Sequence, residues 1–220
     1  MQKVVRVKQG DLLENCGALI NALCTQLDRE ILHLDNYQHS TLFVRYAEAV
    51  LGSFTIAVDD LGTLCQNIGQ YYTDTGDLGK ALIAYQKMGT IQAELLKAQP
   101  DDADFKNGLA ISHSKLGETH SDLGNLQQAL TFFEDSNSLE KKLYAAYPQN
   151  VSFKNGLAVS YSKLGVLYRD NLNDPQKAKE YLQQCYTLWQ ELSEAYPAYV
   201  EFSRNFEWAE EVLSEEGGGE

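Results

Sequence analysis

The sequence predicts an all-α protein built as a solenoid of stacked helical hairpins, and three observations favour this fold class. Only 4 of the 220 residues are proline, whereas the helix-favouring residues Leu, Ala, Gln, Glu and Lys are frequent. A long segment recurs along the chain at a nearly constant offset, which is the signature of a repeat architecture. Glycine and proline occupy the same places in successive copies, where helix ends are expected.

The repeat is clearest in residues 105–117, which begin Phe-Lys-Asn-Gly-Leu-Ala and recur at 153–165, an offset of 48 residues. The same offset relates Gly76 to Gly124. In the third copy the offset becomes 49, and we expect the extra residue in the turn at 171–174. A helical repeat tolerates an insertion that is confined to a turn, so the copies predict one shared architecture.

Each copy is predicted to form two helices. In the middle copy, apolar residues at helical spacing predict a first helix from about 104 to 122 and a second from about 126 to 146. Asp102 and Asn125 are suitable N-caps for these two helices. Gly124 suits the left-handed residue that commonly ends a helix. Start, stop and periodicity signals therefore agree.

The marked positions resemble those of the tetratricopeptide repeat family. That family places Leu-Gly in the first helix, an aromatic three residues later, Gly in the turn, Ala and an aromatic in the second helix, and Pro at its end. In the middle copy these positions hold Leu116, Gly117, His120, Gly124, Ala129, Phe133 and Pro148. The third copy lacks the glycine of the turn.

The resemblance covers residues from about 57 to 213. It implies a right-handed α-α superhelix of about three helix–turn–helix units, followed by a capping helix at 199–213. By register the three units span residues 57–100, 101–148 and 149–197. The family unit has about 34 residues, so each helix here has gained about two turns. Long units with this signature are similar to those of large bacterial multi-repeat proteins, some of which carry a caspase-like (CHAT) protease domain.

Small residues at one register predict close helix packing. Glycine inside a helix costs about 1 kcal/mol relative to alanine, so its recurrence in the first helices indicates a partner helix too close for a side chain. These glycines are Gly69, Gly117 and Gly165, and the facing small residues are expected to be Ala81, Ala129 and Ala178. Gly108 and Gly156 leave two interpretations open, namely close packing or backbone exposed to a bound peptide. Recurrent aromatics, among them Tyr147 and Tyr196, are expected in the core.

The resemblance implies a partner-binding groove, because partners of this family usually lie against the first helices. By register the candidate residues are Gln66, Asn67, Gln70 and Thr73 in the first unit, Ser114, Lys115, Glu118 and Ser121 in the second, and Ser162, Lys163, Val166 and Arg169 in the third. The family's carboxylate clamp uses Lys, Asn and Arg in this groove. Only Asn67, Lys115, Lys163 and Arg169 partly suit that role.

The two ends depart from the repeat. Residues 1–56 are interpreted as an N-terminal helical cap or extension, with amphipathic helices expected at 11–33 and 41–54. Residues 4–22 also resemble the opening of the macro domain family, whose Gly-Asp and Asn-Ala motifs contact ADP-ribose, although the long α/β pattern of such a domain does not follow. Residues 214–220 are expected to form a flexible acidic tail.

The charge and the cysteines limit the classes of partner. A formal charge of −13 disfavours nucleic acid, which needs clustered Lys and Arg, and it permits a protein partner with a basic surface. No signal core or membrane-spanning run is recognised in the sequence. The 4 cysteines fit neither a zinc site nor a disulfide framework, and Cys65 and Cys185 are expected to be buried thiols. A reducing cytoplasm is the expected location.

No nucleophile–base pair, paired-carboxylate motif or phosphate loop is recognised, so we expect no enzyme activity, cofactor or metal site. His113 and His120 lie where other copies place core aromatics, which favours packing over metal binding. The leading hypothesis is a non-catalytic protein–protein interaction scaffold or adaptor. One alternative is a regulatory or inhibitory subunit of a bacterial effector complex, such as a caspase-like protease or a defence system. The other is ADP-ribose-type ligand binding by the N-terminal segment. Self-association remains open.

Overall fold

The computed structural model describes residues 25, 37–53 and 59–217. Within these ranges the backbone is helical apart from short turns, and it forms no β-strand. The α-helices are α1 (Tyr37–Ser53), α2 (Asp59–Asp74), α3 (Leu78–Ala98), α4 (Ala103–Asp122), α5 (Leu126–Ala146), α6 (Val151–Val166), α7 (Pro175–Ala195) and α8 (Val200–Gly217). The predicted all-α fold of helical hairpins is therefore confirmed for the part of the chain that is described.

The chain divides into two compact units between Pro100 and Asp101. Unit 1 contains α1 to α3 and unit 2 contains α4 to α8. The helices predicted at about 104–122 and 126–146 are observed within one residue of those bounds, as α4 and α5.

Unit 1 is a hairpin of α2 and α3 with α1 packed on α2. The hydroxyl of Tyr72 donates a hydrogen bond to Glu48 Oε1 at 2.7 Å, and the hydroxyl of Tyr71 is hydrogen-bonded to Thr41 Oγ1 at 2.8 Å. Burial and the bond to Glu48 raise the pKa of Tyr72. These bonds satisfy the polar ends of two buried tyrosines, which would otherwise be costly to bury.

The N-terminal predictions fall partly outside the structure. The helix expected at 41–54 is observed as α1. Of the helix expected at 11–33 only Thr25 is described, and the macro-like segment at 4–22 lies outside the described residues.

In unit 2 an apolar core is shared by α5 to α8. Its buried side chains include Phe133, Leu164, Leu182, Trp189 and Phe202. Each fully buried side chain of this size contributes about 1.5–3 kcal/mol, so the stacking of successive hairpins is driven mainly by apolar burial. The predicted thiols Cys65 and Cys185 are both buried, and burial raises the pKa of Cys185 to about 12.

In unit 2 a side-chain cap fixes the start of α4, whereas the residue before α5 provides none. Asp102 Oδ1 accepts from the backbone N–H of Asp104 at 2.9 Å and of Phe105 at 3.1 Å. Asn125 stands before α5 but makes no side-chain capping bond. The predicted N-cap is therefore observed at Asp102 and is not observed at Asn125.

Replacing Asp102 with alanine is expected to lower the free energy of unfolding by about 1 kcal/mol, because two N–H groups lose their acceptor. Asn125→Ala is the matched control and should change stability far less, since its side chain caps nothing. Urea denaturation followed by circular dichroism measures both variants. Equal losses would show that the observed hydrogen bonds do not account for the stability.

The turn of the third hairpin corrects one prediction. Gly76 and Gly124 have positive φ angles of 80° and 75°, and the equivalent residue of the third copy, Asn173, adopts φ 52°. Asparagine tolerates this left-handed conformation better than most residues, so it replaces the missing glycine. The extra residue was expected in the turn at 171–174, but α6 instead continues as a π-helical segment, Leu167–Asn171. A π turn accommodates one added residue within the helix.

Aromatic and aliphatic side chains fill the space left by the small residues of the first helices. A Cβ atom would lie 2.4 Å from Tyr85 at Gly69, 2.5 Å from Phe133 at Gly117 and 2.7 Å from Leu182 at Gly165. The expected close approach is therefore confirmed. The nearest neighbour is not the predicted alanine but the larger residue four positions after it. Ala81, Ala129 and Ala178 are themselves fully buried.

Two further expectations were wrong. Tyr147 and Tyr196 were expected in the core, but 45% and 39% of their surfaces are exposed, because they follow the last residues of α5 and α7. The acidic tail was expected from residue 214, but α8 continues to Gly217.

Candidate partner-binding site

The first helices of unit 2, α4 and α6, bring most of the predicted groove residues together. Of the eight candidates in this unit, all except Arg169 line two neighbouring cavities. The cavity of about 380 Å³, called here the outer cavity, is lined by Ser121, Ser162 and Val166. The cavity of about 290 Å³, called here the Glu140 cavity, is lined by Ser114 and Lys115. Glu118 and Lys163 line both.

An ionic cluster lies where the two cavities meet. Glu118 Oε2 accepts a hydrogen bond from Lys115 Nζ at 3.1 Å, and Glu118 Oε1 accepts one from Lys163 Nζ. Burial opposes ionisation of Glu118, but the ammonium groups of Lys163 and Lys115 hold its pKa below the usual value. The cluster joins α4 to α6 and carries one net positive charge.

This cluster changes the interpretation of the predicted carboxylate clamp. Lys115 and Lys163, which partly suit a clamp, already hold an internal carboxylate, that of Glu118. An incoming carboxylate would have to compete with Glu118 for both ammonium groups. The geometry therefore favours a partner whose charges match a mixed pattern over one that presents only a carboxylate terminus.

Replacing Glu118 with glutamine is expected to destabilise the protein in a pH-dependent way. Because the pKa of Glu118 is lowered on folding, its contribution is present above the unfolded value of 4.5 and is lost as the pH falls through the folded value. The stability difference between wild type and Glu118→Gln should thus be largest near neutral pH and shrink below about pH 4.5. Thermal melts from pH 3 to 7 measure this, and a difference that is constant with pH would contradict it.

Arg169 does not reach the cavities. It lies in the π-helical segment, where Nε and Nη2 donate to the neighbouring Asp170 carboxylate at 2.6 and 3.1 Å. The register carried over from regular helices does not hold through this segment, because a π turn adds a residue.

The four candidate residues of unit 1 lie together on α2 and are partly exposed. Gln70 Nε2 donates to Asp74 Oδ1 at 2.8 Å, and the hydroxyl of Thr73 donates to the Gly69 carbonyl at 3.0 Å. None of the four, Gln66, Asn67, Gln70 and Thr73, lines the cavity of about 380 Å³ that unit 1 contains between α1 and α2. Among the cavities described here, those of unit 2 are lined by candidate residues and that of unit 1 is not.

Sequence reasoning missed a set of buried polar residues beneath the Glu140 cavity. Glu140 is only 5% exposed, and its Oε2 has no hydrogen-bond partner. Burial raises its pKa to about 7. A Cβ atom at Gly156 would lie 2.6 Å from Oε2, so Gly156 makes room for the carboxylate. This supports the packing interpretation of Gly156 over exposure of its backbone.

The burial of Glu140 could have been predicted by aligning the three copies. At the same register the first copy has Gln92 and the third has Trp189. All three are buried, so the position is a core position that holds a carboxylate in one copy only.

A larger cavity of about 880 Å³ lies on the face formed mainly by the second helices α5 and α7. Tyr144, Leu157, Tyr161 and Leu188 are among its apolar walls. The resemblance implies partner binding at the first helices, so this cavity was not predicted.

The expected packing of the histidines is observed. His120 stacks on Phe132 with ring centroids 5.4 Å apart, and His113 meets the same ring edge-on at 5.8 Å. Burial lowers the pKa of His113. In the described part of the chain no group of three or more His, Cys, Asp or Glu residues is placed to hold a metal ion. None of the described helices is long and apolar enough to cross a membrane.

Comparisons with known proteins agree with this fold. A family model described as tetratricopeptide repeat matches residues 62–88 in unit 1 and 158–188 in unit 2. The crystal structure of BtubC (BKLC) from P. vanneervenii is 16% identical and has a TM-score of 0.59, with 96% of this chain and 84% of that chain covered. No curated protein matches this sequence.

Two further solved structures are similar, both of a putative kinesin light chain from Podosopora anserina with nearly identical TPR-like repeats. One is 15% identical with a TM-score of 0.54. The other, a point-substituted form of that protein, is 14% identical with a TM-score of 0.55, and in both cases 91% of this chain and 97% of that chain are covered. At these identities the likeness shows the fold alone. One segment in each of the two units thus matches the tetratricopeptide repeat model.

Proposed function

We propose that this chain is a non-catalytic module that binds another protein on the face formed by α4 and α6 of unit 2. This face is called here the first-helix face. The observation that carries the proposal is the grouping of seven predicted groove residues around two cavities that share Glu118 and Lys163. Folds of this type generally mediate protein–protein interaction.

The chemistry of the first-helix face suits recognition. Its cavities can receive side chains of a partner as anchors, and such anchors carry most of the energy of an interface. The partly exposed cluster of Lys115, Glu118 and Lys163 can set register and reject mismatched charges. Together these features support specific binding of a protein surface.

The same groups are poorly suited to catalysis. Glu118 is held ionised by two ammonium groups, so it is a weak general base. The hydroxyl of Ser162 donates to the Val159 carbonyl at 2.8 Å and is not activated by a neighbouring base. These observations support the non-catalytic part of the proposal.

The finer predictions stay predictions. A role as subunit of a caspase-like effector complex rests on resemblance of the repeat units alone. Binding of ADP-ribose would fall on residues 4–22, which lie outside the described residues. A cytoplasmic location, a basic partner surface and self-association likewise remain expectations from composition and family.

Site-specific photo-crosslinking tests the proposal. A photoreactive amino acid is placed at Ser121 or Ser162 on the first-helix face of the full chain, in cells that produce it. Gln127 and Thr131, exposed on α5, are matched controls, and Gln183 reports on the larger cavity between α5 and α7. We expect one protein to be captured from Ser121 and Ser162 and from neither control. Capture from Gln183 alone, or equally from the controls, would overturn the assignment of the face.

A further inference from the structure

The Glu140 cavity has a chemistry that its own chain does not satisfy. It lies among α4, α5 and α6, and its volume of about 290 Å³ is near the lower limit for ligand pockets. That volume exceeds the share of a single water molecule about tenfold, so the cavity can hold a whole side chain. Ile111 and Val159 form apolar parts of its wall.

The floor of the cavity offers hydrogen-bond acceptors without free donors. The hydroxyl of Ser136 donates to the Ala110 carbonyl at 2.9 Å, and that of Ser160 donates to the Leu157 carbonyl at 2.8 Å. Both hydroxyl protons are therefore committed, and the remaining capacity of these oxygens is to accept. The Ser160 oxygen uses part of that capacity for an asparagine amide of α5. An ionised Glu140 adds two further acceptor atoms.

Among the residues that the structure describes, no basic group is paired with Glu140. Its Oε2 lacks a hydrogen-bond partner, and the ammonium groups that line the same cavity, those of Lys115 and Lys163, are both held by Glu118. These four are the titratable side chains that line the cavity, from α4, α5 and α6. A buried carboxylate is costly unless it is paired and hydrogen-bonded, so a guest that supplies both would be held here.

The third copy shows how the same register is satisfied elsewhere. There Trp189 donates its indole N–H to Asn155 Oδ1 at 2.9 Å, which pairs the buried polar group within the chain. Glu140 has no such internal partner, and Gly156 keeps the space beside its carboxylate free of a side chain. A buried carboxylate at this register is thus particular to the second copy.

We propose that the Glu140 cavity receives an arginine side chain of the bound partner, with Glu140 as its counter-charge and the oxygens of Ser136 and Ser160 as further acceptors. The inference rests on the proposed function and names the chemistry of its partner. A guanidinium group carries five N–H donors and no acceptor, which complements a floor of acceptors. It can bind a carboxylate through two parallel hydrogen bonds. The formal charge of −13 of the whole chain attracts such a partner.

The experiment uses N-acetylarginine amide as the probe and N-acetylcitrulline amide as its neutral analogue. Each is titrated into isotope-labelled full-length protein while NMR follows the Gly156 amide and the Glu140 side-chain carboxyl. We expect a saturable shift at both signals, with at least tenfold tighter binding of the arginine compound. Glu140→Gln should abolish this preference, whereas Glu134→Gln, an exposed position on the same helix, should preserve it. The absence of a saturable shift, an equal response to citrulline, or an unchanged preference in Glu140→Gln would overturn the inference.

The two proposals fail separately. Glutamine already occupies this register in the first copy, so Glu140→Gln is expected to fold, and its NMR spectrum verifies this. If crosslinking captures a partner on the first-helix face but the arginine probe does not bind, the inference is overturned and the proposed function stands. If the probe binds at Glu140 but no protein is captured, the cavity is a site for a free guanidinium compound, which overturns the partner assignment and the proposed function together.

Discussion

Glu140→Gln is expected to raise the free energy of unfolding by about 3 kcal/mol at pH 8 while changing it little at pH 4. Burial raises the pKa of Glu140 from 4.5 to about 7, and each unit of pKa difference corresponds to about 1.4 kcal/mol. Between pH 4.5 and about pH 7 the Glu140 carboxyl of the unfolded chain has released its proton, while that of the folded protein still holds it. Wild type therefore loses stability as the pH rises from about 4.5 to about 7, and glutamine removes that loss.

Urea denaturation at pH 4, 6 and 8 measures this effect. Glu134→Gln is the matched control, because its side chain is exposed on the same helix. The Glu140 variant should diverge from wild type only above about pH 5, and the Glu134 variant should follow wild type throughout. Parallel stability curves for wild type and Glu140→Gln would mean that this carboxylate is already paired or hydrated. The Glu118 carboxylate has the opposite effect on stability. Its pKa is lowered on folding, so it stabilises the protein at neutral pH and this contribution is lost at low pH.

Gly117→Ala is expected to lower the free energy of unfolding by about 2 kcal/mol, although alanine is the better helix former. The new Cβ atom would lie 2.5 Å from Cδ1 of Phe133, a ring that is only 5% exposed and cannot move into solvent. Overpacking of this kind costs about 1–3 kcal/mol and exceeds the gain in helix propensity.

Gly79→Ala provides the matched control for Gly117→Ala. At Gly79 an added Cβ would meet only Asp77 Oδ1, at 3.9 Å, so the helix gains up to about 1 kcal/mol without a clash. Chemical denaturation should show opposite signs for the two substitutions. In a Phe133→Ala background the loss caused by Gly117→Ala should largely disappear, because the ring that it strikes is absent. A destabilising Gly79→Ala, or a loss at Gly117 that persists without Phe133, would contradict the packing described here.

The repeat made most of the fold predictable from the sequence. In the middle copy the turn glycine, the capping residues and the 3.6-residue periodicity agree, so the bounds of α4 and α5 follow closely from local signals. The π-helical segment Leu167–Asn171 could not be predicted in this way. A single added residue can enter a loop or a helix, and packing of the surrounding core decides between them.

The grouping of the candidate residues of unit 2 could be predicted from the sequence, but their mutual pairing could not. Register placed Lys115, Glu118 and Lys163 on one face, because residues on successive first helices share a direction. Their mutual pairing depends on the angle and distance between α4 and α6, which periodicity does not contain. Glu140 escaped notice because a periodicity analysis counts apolar residues, and a buried carboxylate breaks that pattern.

Affinity for the protein captured by crosslinking tests the central claim most directly. Isothermal titration compares wild type with the double variant Ser121→Arg/Ser162→Arg, which obstructs the first-helix face, and with the control Gln127→Arg/Thr131→Arg, which adds the same charge on α5. We expect at least tenfold weaker binding for the first variant, equivalent to about 1.4 kcal/mol, and wild-type affinity for the control. Wild-type affinity in the obstructed variant, or an equal loss in the control, would contradict binding at the first-helix face.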